Sequence, residues 1–511
     1  MNLGNNIMSA GRGALLLTGL SALSQLLGFG YRVALSRLVG AEIMGLYQLV
    51  MPVYSVLLSV TAVGLAAAVA NLTPQHLALG SRRGAHQTVR SCLGLLLLLL
   101  LPVALVVIPA SDFLSVALLG DARTQLGLIL LLPCVALTGV ENLHKQYFYG
   151  TGRVTPPAVV ELLEQLIRTA AVLGLLLLFL PQYPERVVGL IVAGMVVCEV
   201  FSSLTLVLLY RRELRRRPLS GPGEARRVRW RRIASIALPV GANALLGNLL
   251  GAANATLIPQ KLVEGGLARE AAVAQFGVVC GMTMPMLALP TLFLGPLNLI
   301  LVPRLSRAHA LDQGERVRQL AGRALWIVSL LTLPAMAVMT VLGPDLGLLL
   351  FHQEGVGTYL LPLALTMALS CFCSVLCGVL SGVGRQRAVA VVSLAGGGIQ
   401  LTFTFLLIPW VGMGGYAAGA LVCALVETAL CLWLVVKHTG LRIQVFPWLT
   451  APGLAALLAG LTANLLLHRL KDMGLEALPA DLAALVFALV LYLAALHGQG
   501  VSLTEALGRK G

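Results

Sequence analysis

The apolar positions of this chain gather into long unbroken runs, without the alternation or helical spacing of a water-soluble domain. A helix needs about 20 apolar residues to cross a bilayer. Fourteen stretches meet or approach that length: 13–36, 46–70, 89–110, 126–147, 157–180, 187–210, 233–258, 274–302, 324–344, 358–381, 388–409, 414–436, 447–467 and 481–497. Barrel strands would instead be alternating segments of about 10 residues. The pattern therefore predicts an all-α integral membrane protein. More spans follow the first run directly, so it is expected to stay in place as a span and not to act as a cleaved leader.

The polar positions interrupt these runs, and the largest interruption is Arg211 to Arg232, RRELRRRPLSGPGEARRVRWRR, with ten arginines. An arginine at the bilayer centre costs at least about 2.5–3.5 kcal/mol. The Pro-Leu-Ser-Gly-Pro-Gly core argues against one continuous helix. The segment reads as a cytoplasmic connector with some contact to anionic lipid. With the N-terminus inside and the spans alternating, the inner segments hold 27 of the 36 Lys and Arg, the outer segments 7, and Arg32 and Arg168 lie within the membrane. That excess on one side is what the positive-inside rule requires, so both termini are expected in the cytoplasm.

Composition agrees: 58% of residues are hydrophobic and 11% charged, against about 25% charged in soluble domains. A net charge of +15 would suggest nucleic acid in a soluble protein. Here the basic residues lie between spans, so lipid is the expected partner and nucleic acid is not. The nine cysteines fall inside predicted spans. Cys371, Cys373 and Cys377 are spaced like a metal cluster, but no His or carboxylate stands close to complete it. They read as small apolar fillers, with no metal, disulfide or cofactor expected. The chain has no Walker loop, HExxH or GxSxG, and its loops are short, so an enzyme is not expected.

The chain also repeats itself. Gly45 and Met51-Pro52 match Gly277 and Met284-Pro285, and Gly150-Thr-Gly-Arg153 matches Gly382-Val-Gly-Arg385, at offsets of 232 or 233. Gly189, Ala193, Gly194 and Cys198 match Gly414, Ala418, Gly419 and Cys423 at an offset of 225. Two six-helix lobes follow, 1–210 and 233–437, flanking the linker 211–232, with 438–511 holding two further helices and the tail. Six is even, so the repeat is parallel, and two such lobes imply alternating access around a central cavity.

Ionisable groups inside a membrane are costly, and each is a functional candidate. Gln25, Arg32 and Arg37 stand on the first predicted helix. An arginine facing a cavity can grip a phosphate or pyrophosphate bidentately; pairing with a carboxylate or with backbone carbonyls is the structural alternative. Glu161, Glu164 and Arg168, at spacings of three and four, share one helix face. They read either as a neutralised Glu164–Arg168 pair or as a wall that binds substrate or a coupling ion. Glu199 and Glu427 end the two lobes and are candidates for proton or ion coupling. Glu141 reads as interfacial. Asn243 and Asn248 are substrate candidates or bonds between helices. Pro239, Pro285 and Pro290 are expected to kink their helices and serve a gate.

Ser24-Gln-Leu-Leu-Gly-Phe-Gly-Tyr-Arg32, continuing to Arg37-Leu-Val-Gly-Ala41, resembles the first helix of the lipid II flippase family. Gly40-Ala-Glu-Ile-Met-Gly-Leu-Tyr-Gln48, Met51-Pro-Val-Tyr54, Gly150-Thr-Gly-Arg153 and Val302-Pro-Arg-Leu-Ser306 are similar to the stage V sporulation protein B group of polysaccharide biosynthesis proteins. Both belong to the multidrug/oligosaccharidyl-lipid/polysaccharide exporter superfamily, and the resemblance covers essentially the whole chain. It implies a bacterial plasma-membrane flippase, monomeric, that moves an undecaprenyl-pyrophosphate-linked saccharide from the inner to the outer leaflet. With no nucleotide-binding motif in the sequence, drive by the membrane potential or a coupling ion, H+ or Na+, is expected. The predicted helices 447–467 and 481–497 would supply a groove for the lipid tail. Gln25 stands where the family has a second arginine, and Val278–Pro290 lacks the cation expected there. A small-molecule or drug–cation antiporter of the same superfamily is the alternative reading, and a non-transporting membrane scaffold a third.

Overall fold

The computed structural model describes residues 3–216 and 219–500, which are helical almost throughout. Thirteen helical stretches among them are long and apolar enough to cross a membrane. The first, Gly19–Ala78, runs through the loop expected after residue 36 and breaks only at Gly40, with φ 78° and ψ 177°. Only glycine enters that region at low cost, so a single residue turns the chain. It separates α1 (residues 3–39) from α2 (residues 41–78). There follow α3 (Arg82–Val107), α4 (Gln125–Gly150), α5 (Thr155–Phe179), α6 (Val187–Arg216) and α7 (Arg226–Glu264).

The basic stretch is shorter as a loop than expected. Arginines 211–216 extend α6 and those from 226 onward open α7, leaving residues 219–225 without helix; Arg217 and Pro218 lie outside the described residues. Helix α7 passes Pro239 without a break.

The next region bears out the irregularity that its prolines predict. Arg269–Phe276 leads into a π-helical segment, Gly277–Thr283, then Met284–Ala288 and a 3-10 turn, Leu289–Thr291, that contains Pro290. We call residues 269–288 α8 and Leu294–Ala310 α9. The chain ends with α10 (Gly314–Phe351), α11 (Leu360–Gly382), α12 (Gln386–Val411), α13 (Met413–Thr439), α14 (residues 446–472) and α15 (Ala477–Gly498).

Two compact units result, one reaching Thr256 and the other starting at Leu257. In the first, Leu65, Val69 and Leu72 of α2 pack with Val89 and Leu96 of α3 and Leu143 of α4. In the second, Leu305, Val328, Leu376 and Val435 form the core. Beside it, Ala455, Ala459 and Ala463 of α14 meet Ala488 and Tyr492 of α15. Small residues let helices approach closely where lipid supplies no hydrophobic drive, and the Tyr492 hydroxyl donates to the Leu330 carbonyl at 2.9 Å.

The repeated Gly-x-Gly-Arg makes the same turn twice. Gly152 (φ 75°) and Gly384 (φ 78°) take the left-handed conformation. Arg153 N–H donates to Phe148 O at 3.0 Å, and Arg385 N–H to Leu380 O at 2.8 Å. The first glycine of each motif is needed for packing: a Cβ would meet Thr73 Cβ at 2.9 Å from Gly150, and Leu305 Cβ at 2.7 Å from Gly382.

Candidate functional site

The first unit holds a buried ionic cluster built by three helices. Helix α4 contributes Glu141 and Lys145, one turn apart. Their pair is 2.5 Å long, and Lys145 Nζ also lies 3.7 Å from Glu164 Oε2. Helix α5 contributes Glu164 and Arg168, whose Nη2 donates to Glu164 Oε1. Helix α6 contributes Cys198, Glu199 and Ser202. Arg168 reaches Glu199 Oε1 at 3.5 Å and Cys198 Sγ at 3.4 Å. Ser202 Oγ donates to Glu141 Oε2 at 2.8 Å. Glu141, Glu164 and Glu199 are all buried.

Three carboxylates therefore share two fixed cations. A buried charge without a partner costs several kcal/mol. One further positive charge is called for, either a proton on a carboxylate or a bound cation. Arg168 lies between Glu164 and Glu199 and repels a metal ion from the space they share, so a proton fits better.

The structure brings together Glu164, Arg168 and Glu199 from the sequence candidates and adds Glu141, Lys145, Cys198 and Ser202. The i, i+4 spacing of Glu141 and Lys145 was a usable signal; the approach of Glu199 from another helix was not. Glu161 is half-buried on α5. Arg32 is half-buried on α1 and has no ion pair among the described residues; Gln25 and Arg37 are exposed. Asn243 is exposed. Asn248 ties α7 to α2, donating to Ser55 O at 3.2 Å and Ser59 Oγ at 2.6 Å. The two helices cross closely there, because a Cβ on Gly64 would come within 2.3 Å of Ala237 O.

In the second unit, Glu427 is half-buried on α13 and packs over Gly396, where a Cβ would lie 1.9 Å from its Oε1. Pro285 and Pro290 are half-buried beside the 3-10 turn. Cys373 and Cys377 meet Cys431, not Cys371, with sulfurs 3.6 to 4.0 Å apart.

The second unit also holds a feature that sequence reading missed. A cavity of about 770 Å³ is lined by Arg318, Arg323, Arg442, Trp326 and Trp448. Arg318 also bonds Glu315 at 2.7 Å. At Trp448 this cavity meets a groove of about 610 Å³ whose wall is apolar, formed by residues such as Leu325, Leu369, Phe372, Leu425 and Leu449. Arginines over an aromatic rim and an apolar groove suit a phosphate carried on a long hydrocarbon chain. The three arginines come from two segments more than 100 residues apart, so no local motif announces them.

A family model described as polysaccharide biosynthesis protein matches residues 10–309, and one described as MatE matches residues 262–406. Stage V sporulation protein B of Bacillus subtilis (strain 168) is 26% identical over 432 residues, 82% of each chain. Sporulation protein YkvU of the same organism is 26% identical over 235 residues, covering 45% of this chain and 51% of its own. Among solved structures, the lipid II flippase MurJ in an inward closed conformation superposes with TM-score 0.72 at 10% identity, over 97% of this chain and all of that one. An inward-facing multidrug resistance MATE family transporter superposes with TM-score 0.64 at 14% identity, over 84% of this chain and all of that one. The fold is thus the one these exporters share.

Proposed function

Because the chain belongs to the polysaccharide biosynthesis protein family, we propose that it is a flippase that moves an undecaprenyl-pyrophosphate-linked saccharide from the inner to the outer leaflet of a bacterial plasma membrane. The observation that carries this reading is the arginine-lined cavity of the second unit opening at Trp448 into an apolar groove. A pyrophosphate needs cations with several donors each, and a polyprenyl chain needs a lipid-facing groove. A drug–cation antiporter needs neither. Of the two helices expected to form the tail groove, 446–472 supplies its end through Trp448 and Leu449, and none of the lining residues comes from 477–498.

Drive comes from protons through the ionic cluster of the first unit. Glu199 or Glu164 takes up the proton that the charge count calls for, and its release shifts the partners of Arg168. The connector and both termini face the cytoplasm, as the 27-to-7 division of basic residues implies. Arg32 adds a cation to the substrate path, and Pro285 and Pro290 soften the segment that moves.

The test is rescue of two bacterial strains, one depleted of its lipid II flippase and one lacking a polysaccharide flippase. Each receives the intact chain, Glu164→Gln, Arg32→Ala, or the triple Arg318→Ala, Arg323→Ala, Arg442→Ala. Rescue of either strain by the intact chain but not by Glu164→Gln or the triple variant is the expected outcome. A membrane-inserted chain that rescues neither strain, or a triple variant that rescues fully, sinks the proposal.

A further inference from the structure

The connector is a strap fixed to the first unit. Arg83 N–H donates to Ser220 O at 3.1 Å, and Ser81 Oγ to Pro222 O at 2.6 Å. Glu224 N–H donates to Gln87 Oε1 at 3.1 Å. The Glu224 carboxylate takes Arg232 at 2.8 Å and His76 at 3.6 Å. Gly221, with φ 83°, lies so close that a Cβ would meet Gly80 O at 2.7 Å. These contacts hold the first turns of α7 beside α3.

One consequence is a cavity of about 530 Å³ with Arg90 and Ser91 of α3 on one side and Arg226, Arg229 and Trp230 of α7 on the other. None of the three arginines has a carboxylate partner among the described residues, since Glu224 is committed to Arg232 and His76. Arg229 spends Nη1 on Gln87 and on the Glu224 carbonyl, while its Nε is buried with no hydrogen-bond partner. Three cations around one cavity repel each other, and an anion there removes the repulsion.

Leu95 and Trp230 also wall a second cavity of about 340 Å³, which continues between α2, α3 and α7 past Leu99, Ile233 and Leu245. From Arg90 to Leu99 the axis of α3 rises about 14 Å at 1.5 Å per residue. Cations thus give way to hydrocarbon over about the depth at which a headgroup gives way to acyl chain. Trp230 stands at the border, where interfacial aromatics belong.

We propose that this is a binding site for an anionic glycerophospholipid, with its phosphate on Arg90, Arg226 and Arg229 and an acyl chain in the crevice between α3 and α7. A free phosphate would use the arginines and leave the crevice without purpose. A lipid fills both and wedges α7 against the strap.

The experiment is native mass spectrometry of the full chain in detergent, titrated with phosphatidylglycerol, phosphatidylcholine or inorganic phosphate. The variants are Arg90→Gln/Arg226→Gln/Arg229→Gln and, as a charge-matched control, Arg212→Gln/Arg215→Gln/Arg231→Gln, whose arginines are exposed outside the cavity. Each arginine near a lipid surface is worth about fivefold. The cavity triple should therefore weaken phosphatidylglycerol binding by about 100-fold while the control binds like the parent. Leu95→Trp, which fills the crevice and spares the arginines, should weaken lipid binding and leave phosphate binding alone. Equal binding of phosphatidylcholine overturns the proposal, as does equal loss in both triples. So does a Leu95→Trp chain that binds lipid as well as the parent. Thermal unfolding of each variant in detergent separates loss of the site from loss of the fold.

Discussion

Positions that the sequence repeat matches between the two units carry different chemistry. Glu141 and Lys145 of α4 are matched 232 positions on by Cys373 and Cys377, and Glu164 and Arg168 of α5 by Gly396 and Gln400. Cys198 and Ser202 of α6 are matched 225 positions on by Cys423 and Glu427. In the first unit four of these positions, Glu141, Lys145, Glu164 and Arg168, join Glu199 in an ionic network of five charged side chains. In the second they make a thiol contact and one carboxylate: Cys373 and Cys377 pack on Cys431, and Glu427 occupies the volume that Gly396 leaves open. The Gly-x-Gly-Arg turns are shared, whereas Met51-Pro52 lies in a continuous helix and Met284-Pro285 in an interrupted one. The difference teaches that matched positions can keep a turn and still change the chemistry of the helix contact, so the buried ionic network belongs to the first unit.

Removing the central guanidinium should break this contrast most strongly. Arg168→Met leaves three buried carboxylates facing Lys145 alone and should cost about 3–5 kcal/mol. Gln400→Met, at the matched position, loses one 3.4 Å bond to Tyr416 O and should cost about 1 kcal/mol. Thermal unfolding in detergent measures both. Equal losses would mean that the ionic cluster is no more central to its unit than the thiol contact is to the other.

Non-additivity sharpens the same point. Lys145→Met alone should cost about 3 kcal/mol or more, because Glu141 keeps its charge without a cation. Glu141→Gln together with Lys145→Met removes both charges and should cost less than Lys145→Met alone, a coupling of about 1–3 kcal/mol. Costs that simply add would show the two side chains to be independent despite their 2.5 Å contact.

How far these features could be read from sequence divides along similar lines. The spans were legible because an apolar run of about 20 residues has few alternatives, and the irregular region near Pro285 and Pro290 because proline removes a helical donor. The turn at Gly40 was not foreseen as a single residue, since a loop and a glycine hinge leave the same gap in hydropathy. Glu164–Arg168 is legible as a one-turn spacing, whereas Glu141 reads as interfacial in sequence because its burial depends on α5 and α6. The connector was legible as charge and not as a strap: Ser81 and Pro222 are 141 positions apart, and no local rule pairs them.

The mildest effects belong to the second unit. Gly396→Ala should destabilise by about 1–3 kcal/mol, since its methyl would overlap Glu427. Gly396→Ala with Glu427→Ala should recover most of that loss. Replacing Cys373, Cys377 and Cys431 together by alanine should cost about 1 kcal/mol per site, the value of small apolar groups deleted from a packed interface. If the thiols are packing elements, that loss is all that changes, and rescue of the depleted strain by the triple-alanine chain matches the parent. If transport fails in a triple-alanine chain that inserts and unfolds normally, the thiols take part in the cycle. The contrast between an ionic network in the first unit and an inert thiol contact in the second would then be wrong.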